Sequence, residues 1–474
     1  MKKTLSVILA VTMLLFVMAA CGTSDNTSGN PSSTPSTNTS TGNSSVPGGD
    51  PSEGGDLPDT FTYNSVNLGD YADLKADLKF ITHRTDLQED GTLDSYVKKF
   101  QEKYPNITVA YEGITDYQGD MATRMSTANW GDINMIPPAI LKKDLGQYYL
   151  PLGTVSELEG RLNFVTDKAF GGTVYGLSST NNANGVLYNK KVFSDAGITT
   201  LPRTPEEFQA ALQKIKDNTD AIPLYTNFAA GWTMGGAWNA YLGGSSNGDP
   251  DFINNMPKSH DVFAKTDDYG PYALFKVLYD AVVNKLTEED PSTTDWESSK
   301  SRLNNGEIAT MVLGSWAVVQ MQEAGPNPDD IGYMPFPISV NGTQYASAGP
   351  DYEYGININS SKENQLAALL YIKWLVEESN FDYDQGGVPT VKDHKMPDTL
   401  SGFAGVELVA QNPAPEGEED LFQNVNEDSE LGVNTADKEV IRVVEAAITG
   451  SESYDDIIAD WNARWNASVD KFAK

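Results

Sequence analysis

DLKFITHRTDLQEDGTLDSYVKKFQEKYPNITVAYEGI, residues 77 to 114, is the stretch on which the fold turns. Asp77 to Thr82 (DLKFIT) has the character of a buried strand, and Asn106 to Ile114 (NITVAYEGI) has it again. Between them Leu93, Tyr96, Val97 and Phe100 recur at i, i+3, i+4 and i+7, the spacing of one helical face, and Pro105 follows as a stop. A strand, a helix and a strand within about forty residues make a βαβ unit, whose two strands must run parallel, so the sequence predicts an α/β domain.

Further along the chain the same alternation continues to about Asn380. Thr204-Pro205-Glu206-Glu207 has the form of a capping box with proline at the first helical position, and Phe208, Ala211, Leu212 and Ile215 follow as its apolar stripe. Another helix starts at Ser361 within SSKENQLAALLYIKWLVEES, and strand-like runs appear at Glu307 to Leu313 (EIATMVL) and Tyr354 to Ile358 (YGINI). With 474 residues and no internal repeat, we read two α/β lobes.

Toward the amino terminus the character changes. Met1 to Ala20 (MKKTLSVILAVTMLLFVMAA) places two lysines before an apolar run and small residues, the form of a secretory signal. Cys21, the only cysteine, follows Ala19 and Ala20 and resembles a bacterial lipobox, whose thiol receives a diacylglyceryl group. The alternatives are an ordinary signal with a chance cysteine and a membrane-spanning anchor. A single cysteine rules out a disulfide within the chain and cysteine-based zinc sites. From Gly22 to Asp56, 30 of 35 residues are Ser, Thr, Asn, Gly or Pro, a flexible tether spanning roughly 30 to 35 Å. The net charge is −33, and −35 once Lys2 and Lys3 leave with the signal. Such a charge repels the phosphate backbone, so nucleic acid is excluded as a partner, and any hold on a membrane must be hydrophobic or covalent.

Several ordered blocks resemble the extracellular solute-binding proteins of carbohydrate ABC transporters, the maltose-binding-protein-like family 1. They are Phe100 to Ile107 (FQEKYPNI), Gly131-Asp132-Ile133, Gly172 to Leu177 (GTVYGL), Leu187 to Gly197 (LYNKKVFSDAG), Pro205 to Phe208, Asn305 to Ala309 (NGEIA) and Gly314 to Ala317 (GSWA). The resemblance implies a two-lobed, periplasmic-binding-protein-like fold of type II, its lobes joined by hinge crossings and closing on a ligand. By that analogy the crossings fall near Ser178 to Ala183, Pro335 to Ile338 and Gln385 to Pro389. The expected division is then 1–20 as signal peptide, 21–76 as lipidated Cys21 and tether, 77–180 plus 336–385 as one lobe, and 181–335 plus 386–474 as the other. The implied role is that of a monomeric, lipid-anchored receptor on the outer face of a Gram-positive membrane. It would bind a mono- or oligosaccharide and pass it to the permease subunits of an ABC importer, without a cofactor or metal.

A pyranose offers hydroxyls on its edge and C–H groups on its faces, so its site combines aromatic rings with planar polar side chains. Trp316, just beyond the strand ending at Leu313, is in the place where the resemblance implies a stacking aromatic; burial in the lobe core is its alternative. Trp232 and Trp238 lie in the glycine-rich AAGWTMGGAWNAYLGG, either as a stacking platform or as packing, with Trp232 the better candidate. Arg84 and Asp86 follow the first strand, and Asp116 and Tyr117 the second, at the carboxyl ends where α/β folds bind ligands; helix capping is the competing reading for the first pair. Asp132 and Asn182 are candidates by resemblance. Asp351 and Tyr352, in Gly349 to Gly355, and Trp296, before a helix, complete the set. The tract Asp382 to Gly386 echoes the opening of a calcium loop without its later ligands. No GxGxxG, P-loop, HExxH or GxSxG motif occurs, which argues for binding over catalysis; a carbohydrate-active enzyme and a peptide or polyamine receptor stay open as alternatives.

Overall fold

The computed structural model describes residues 57–473 apart from 128, 267, 351 and 434–436, so the signal, Cys21 and most of the tether lie outside the described residues. The strand Ala76–Thr82 pairs in parallel with Ile107–Gly113 on one side and Ile133–Met135 on the other, and Tyr354–Ile356 adds antiparallel to Ile133–Met135. The intervening helix, Thr92–Gln101, buries Leu93, Tyr96, Val97 and Phe100, the four residues of the expected stripe. Helix Lys362–Glu377 joins the same core, where the Phe100 ring lies 4.9 Å from Tyr371 and 5.5 Å from Trp374.

This first lobe begins earlier than the sequence suggests. Residues 57–76, read as the last part of the tether, pack on the lobe, with Phe61, Tyr63 and Val66 buried. The Tyr63 amide donates to Leu152 O (2.8 Å), and the buried Lys373 ammonium donates to Tyr63 O (3.1 Å) while standing 4.0 Å over its ring. Apolar side chains at Phe61, Tyr63 and Val66 give this segment something to bury, which the Ser/Thr/Gly-rich stretch before it lacks.

The second lobe is organised around one strand, Asn181–Asn189. Ile308–Gly314 pairs antiparallel along one edge; along the other, Ile331–Pro335 covers its later half and Tyr345–Pro350 its start. Ile222–Leu224 and Glu407–Val409 extend the two sides in parallel. Helix Pro205–Asn218 has the expected proline start: Thr204 Oγ1 accepts from the Glu207 amide (3.2 Å). The reciprocal bond is displaced by one residue, because the Glu207 carboxylate takes the Arg203 amide instead (2.7 Å).

Three segments join the lobes side by side. Leu177 and Tyr354 exchange backbone hydrogen bonds (3.3 and 2.8 Å), as do Asn181 and Val388 (2.9 and 2.7 Å), and Asn181 faces Pro350 in register. The wholly buried Asn181 side chain donates to Val388 O (3.1 Å) and Thr390 Oγ1 (3.0 Å) and accepts from Ser178 Oγ (2.6 Å). Pro350 and Tyr354 therefore bound the middle crossing, and the expected position at Pro335 to Ile338 is corrected. Ile331–Pro335 runs along the central strand, and Phe336 and Ile338 are buried in the second lobe, with Phe336 4.6 Å from Tyr241. The chain between 336 and 350 thus belongs to the second lobe, while on the last crossing Val388 packs with the second lobe and Val391 with the core of the first.

Glu353, on the middle crossing, is 2% exposed; its Oε1 is buried without a hydrogen-bond partner and its Oε2 is 4.0 Å from Lys168 Nζ. Burial, and then the charge of Asp167, push its carboxyl well above the ordinary value of 4.5. A carboxyl raised in this way favours the folded state below its unfolded pKa, and that contribution is lost as pH rises through the folded value. Glu353→Gln should therefore raise the melting temperature at pH 8 and change it little at pH 5; a difference that does not grow with pH would refute the burial argument. Asn181→Ala should cost about 1–3 kcal/mol in urea unfolding, since it leaves the crossing groups without their partner. An unchanged midpoint would show that the junction does not depend on this side chain.

Candidate functional site

A cleft of about 1150 Å³ opens between the lobes, with walls from both and a floor from the crossings. Because side chains alternate along a strand, Thr180, Asn182 and Asn184 share one face at the start of the central strand, and all three line the cleft.

On the first lobe, Arg84 follows the end of strand Ala76–Thr82. Its guanidinium grips Asp86 through Nε to Oδ1 (2.9 Å) and Nη2 to Oδ2 (2.7 Å), and Nη2 reaches Gln385 Oε1 on the last crossing (3.3 Å). Partial burial raises the Asp86 carboxyl, and Arg84 more than reverses this, leaving it below its ordinary value. The pair is on the cleft wall and is held in place before any ligand arrives.

On the second lobe the strand Ile308–Gly314 ends at Trp316, which opens helix Ala317–Glu323. The indole lies over Gly314, where an added Cβ would stand 2.6 Å from Nε1, so this position requires glycine. Trp232 follows Gly231, whose φ of +66° permits the turn, and precedes a short π-helical turn at Thr233–Ala237; it is 45% exposed. Its ring is 5.8 Å from Trp316 and 5.2 Å from Trp296, and Trp296 is 5.8 Å from Trp316. Trp232 and Trp316 line the cleft; Trp296, at the start of a helix capped by Asp295, braces both from behind with Lys300 4.9 Å over its ring. Trp238 is instead buried in the lobe core, edge-on to Phe336.

Four of the sequence candidates serve the first lobe's framework. Asp116 caps helix Tyr117–Arg124 by accepting from the Gly119 amide. Tyr117 is buried and donates to Met135 O (2.7 Å). Asp132 accepts from the Lys79 amide (2.9 Å), Ser360 Oγ (2.6 Å) and Asn364 Nδ2 (3.0 Å), tying strand to helix away from the cleft. Tyr352 packs 4.7 Å from His83 and 5.6 Å from Tyr117, and so supports the wall residue His83 without lining the cleft itself. Asp351 lies outside the described residues.

The cleft also takes residues the sequence reading did not single out. Val319, Gln320 and Glu323 share a helical face with Trp316 at i+3, i+4 and i+7, a periodicity present in the sequence. Desolvation, and then Asp90 and Asp86, raise the Glu323 carboxyl, so charges of the two lobes act on each other across the cleft. Asp167, also on the wall, is raised by burial and brought below its ordinary value by Lys168, 2.6 Å away, and by Lys142. No local pattern marks Asp167, which sits between short elements. Among the described residues no group of three or more His, Cys, Asp or Glu side chains is placed to hold a metal ion.

The architecture has close counterparts. A manno-oligosaccharide-specific solute-binding protein of Bifidobacterium animalis subsp. lactis, BlMnBP2 in complex with mannotriose, is 46% identical and superposes with a TM-score of 0.80, covering 87% of this chain and 99% of that one. BlMnBP1 of the same organism, the binding protein of an ABC transporter in complex with mannobiose, is 47% identical with a TM-score of 0.79 and the same coverage. The multiple sugar-binding protein of Streptococcus mutans is 23% identical over 317 residues, 63% of this chain and 72% of that protein. The profile of the bacterial extracellular solute-binding proteins matches residues 84–380, across both lobes and the first two crossings, and the chain therefore belongs to the bacterial extracellular solute-binding protein family.

Proposed function

We propose that the cleft binds a manno-oligosaccharide, without turning it over, and that the lobes close on it for delivery to the permease of an ABC importer. The observation that carries this reading is the 46–47% identity to two manno-oligosaccharide-binding proteins over 87% of the chain. The walls suit such a ligand. Trp232 and Trp316 offer faces for the C–H surface of a sugar ring, while the Arg84–Asp86 pair, Asn182 and Glu323 offer polar groups for its hydroxyl edge. In this assignment Trp296 positions the other two tryptophans. Closure requires that the sugar bind the closed state more tightly than the open one, which a ligand touching both lobes does.

The anchor is part of the same proposal. No helix among the described residues is long and apolar enough to cross a membrane. A diacylglyceryl group on Cys21 would hold the receptor on the outer face of a Gram-positive membrane, two acyl chains sufficing for stable attachment.

Mannobiose and mannotriose should raise the melting temperature and give measurable binding heats, whereas raffinose, chitin oligosaccharides and putrescine should not. Stabilisation by putrescine with none by any mannose oligomer would sink the assignment. Trp316→Ala should weaken mannotriose binding about 10- to 100-fold, the equivalent of about 1.5–3 kcal/mol for a buried aromatic face. Asp132→Ala should lower the melting temperature and leave that affinity within about twofold; the reverse pattern would exchange the roles given to these two residues.

A further inference from the structure

A second cavity, of about 350 Å³, adjoins the cleft and shares Phe164, Thr166 and Ala410 with it. It lies against the last crossing at Val388 and Pro389, and its remaining wall mixes apolar and polar groups: Leu162, Met396 and Leu408 with Asn163, Lys392 and His394. Its polar side chains are already held. Asn163 Nδ2 donates to Pro389 O (3.0 Å), leaving its carbonyl oxygen to accept; Lys392 Nζ spends one of its three N–H groups on Glu159 O (2.6 Å); and His394 Nδ1 pairs with the buried Asp382 (2.7 Å), leaving Nε2.

Phe164, on the boundary between the two spaces, has φ of +56°, a conformation that is an outlier for a bulky side chain. The strain is imposed by its neighbour: the Asn163 amide donates to Thr390 O (2.8 Å) and its side chain to Pro389, so two bonds pin the chain to the last crossing just before the turn. Backbone strain of this kind persists only where the surroundings enforce it, and it clusters at ligand sites.

We infer that this cavity is the continuation of the binding cleft and takes the end of a manno-oligosaccharide longer than the trisaccharide. The inference rests on the proposed sugar specificity, and it names the length class the site selects. The cavity's position fits a chain that lies in the cleft and leaves it past Phe164. Its wall has the combination a sugar unit uses, apolar surface beside hydrogen-bonding groups, and exposed Lys392 and Met396 stand where the chain end would meet solvent.

Calorimetry on the purified protein with mannobiose through mannohexaose tests this. The wild type should bind tetra- to hexasaccharide about tenfold more tightly than mannotriose, about 1.4 kcal/mol. The double variant Lys392→Ala/Met396→Ala changes two exposed side chains and should melt like the wild type. It should keep mannotriose affinity within about twofold and lose most of the gain with length. Equal affinity for all lengths, or a length gain untouched in the double variant, overturns the inference while the sugar assignment stands. Binding of no mannose oligomer overturns both.

Discussion

The hydrogen bonds that converge on Asn181 are the constraint from which the rest of the architecture follows. Two lobes built from interleaved parts of one chain must exchange segments three times, and each exchange carries backbone polar groups through the interior. Here those groups satisfy one another: Asn181 binds both the backbone and the side chains of its neighbours, and Ser179 Oγ meets Tyr354 OH at 2.6 Å. Because an unmade bond there carries the full desolvation cost, the segments stay in mutual register. The same residue begins the central strand of the second lobe, so the register of the crossings also sets which side chains of that strand face the cleft.

That coupling divides the work between the walls. The second lobe presents two tryptophan faces braced by a third, a surface that gives contact area with little orientation demand. The first lobe presents Arg84 already clamped to Asp86 and tied to Gln385, a polar group with its geometry settled in advance. A side chain held in this way has less freedom left to lose, which would lower the ordering cost of a ligand that met it. The bond from Arg84 to Gln385 ties this wall pair to the junction as well as to its own lobe.

Much of this was legible in the sequence where local periodicity and global fold agree. The opening βαβ unit, the buried face of helix Thr92–Gln101 and the proline start at Thr204 are local patterns that packing had no reason to override. Family blocks led to Trp316, and the strand-end rule led to Arg84 and Asp86, all on the cleft wall. The same rule misplaced Asp116 and Tyr117, because a residue after a strand can cap the next helix or turn under the sheet, and sequence does not distinguish these. The resemblance put a crossing at Pro335 to Ile338; the burial of Phe336 in the second lobe decides otherwise, and burial is a tertiary property that sequence does not display. Asp167 had no signal at all, because its adjacent Lys168 gains a role only once the fold brings Lys142 and Glu353 beside the pair.

Three departures from local rules lie at the cleft or on the crossings beneath it. Phe164 adopts a left-handed backbone at the boundary of the two cavities, Thr180 Oγ1 is buried without a partner on the cleft-lining face of a crossing, and Glu353 carries an unpaired buried oxygen on another crossing. Each costs stability that the large cores of the two lobes offset. In a sequence otherwise consistent from propensity to packing, such costs are tolerated where a site must be shaped or a junction must be able to change. Glu353 connects the two requirements: it is on a crossing, its carboxyl feels Asp167 on the cleft wall, and Lys168 stands between them. Asp167 on the wall and Glu353 on the junction thus share Lys168 as their nearest cation, so the charge balance of one is set together with that of the other.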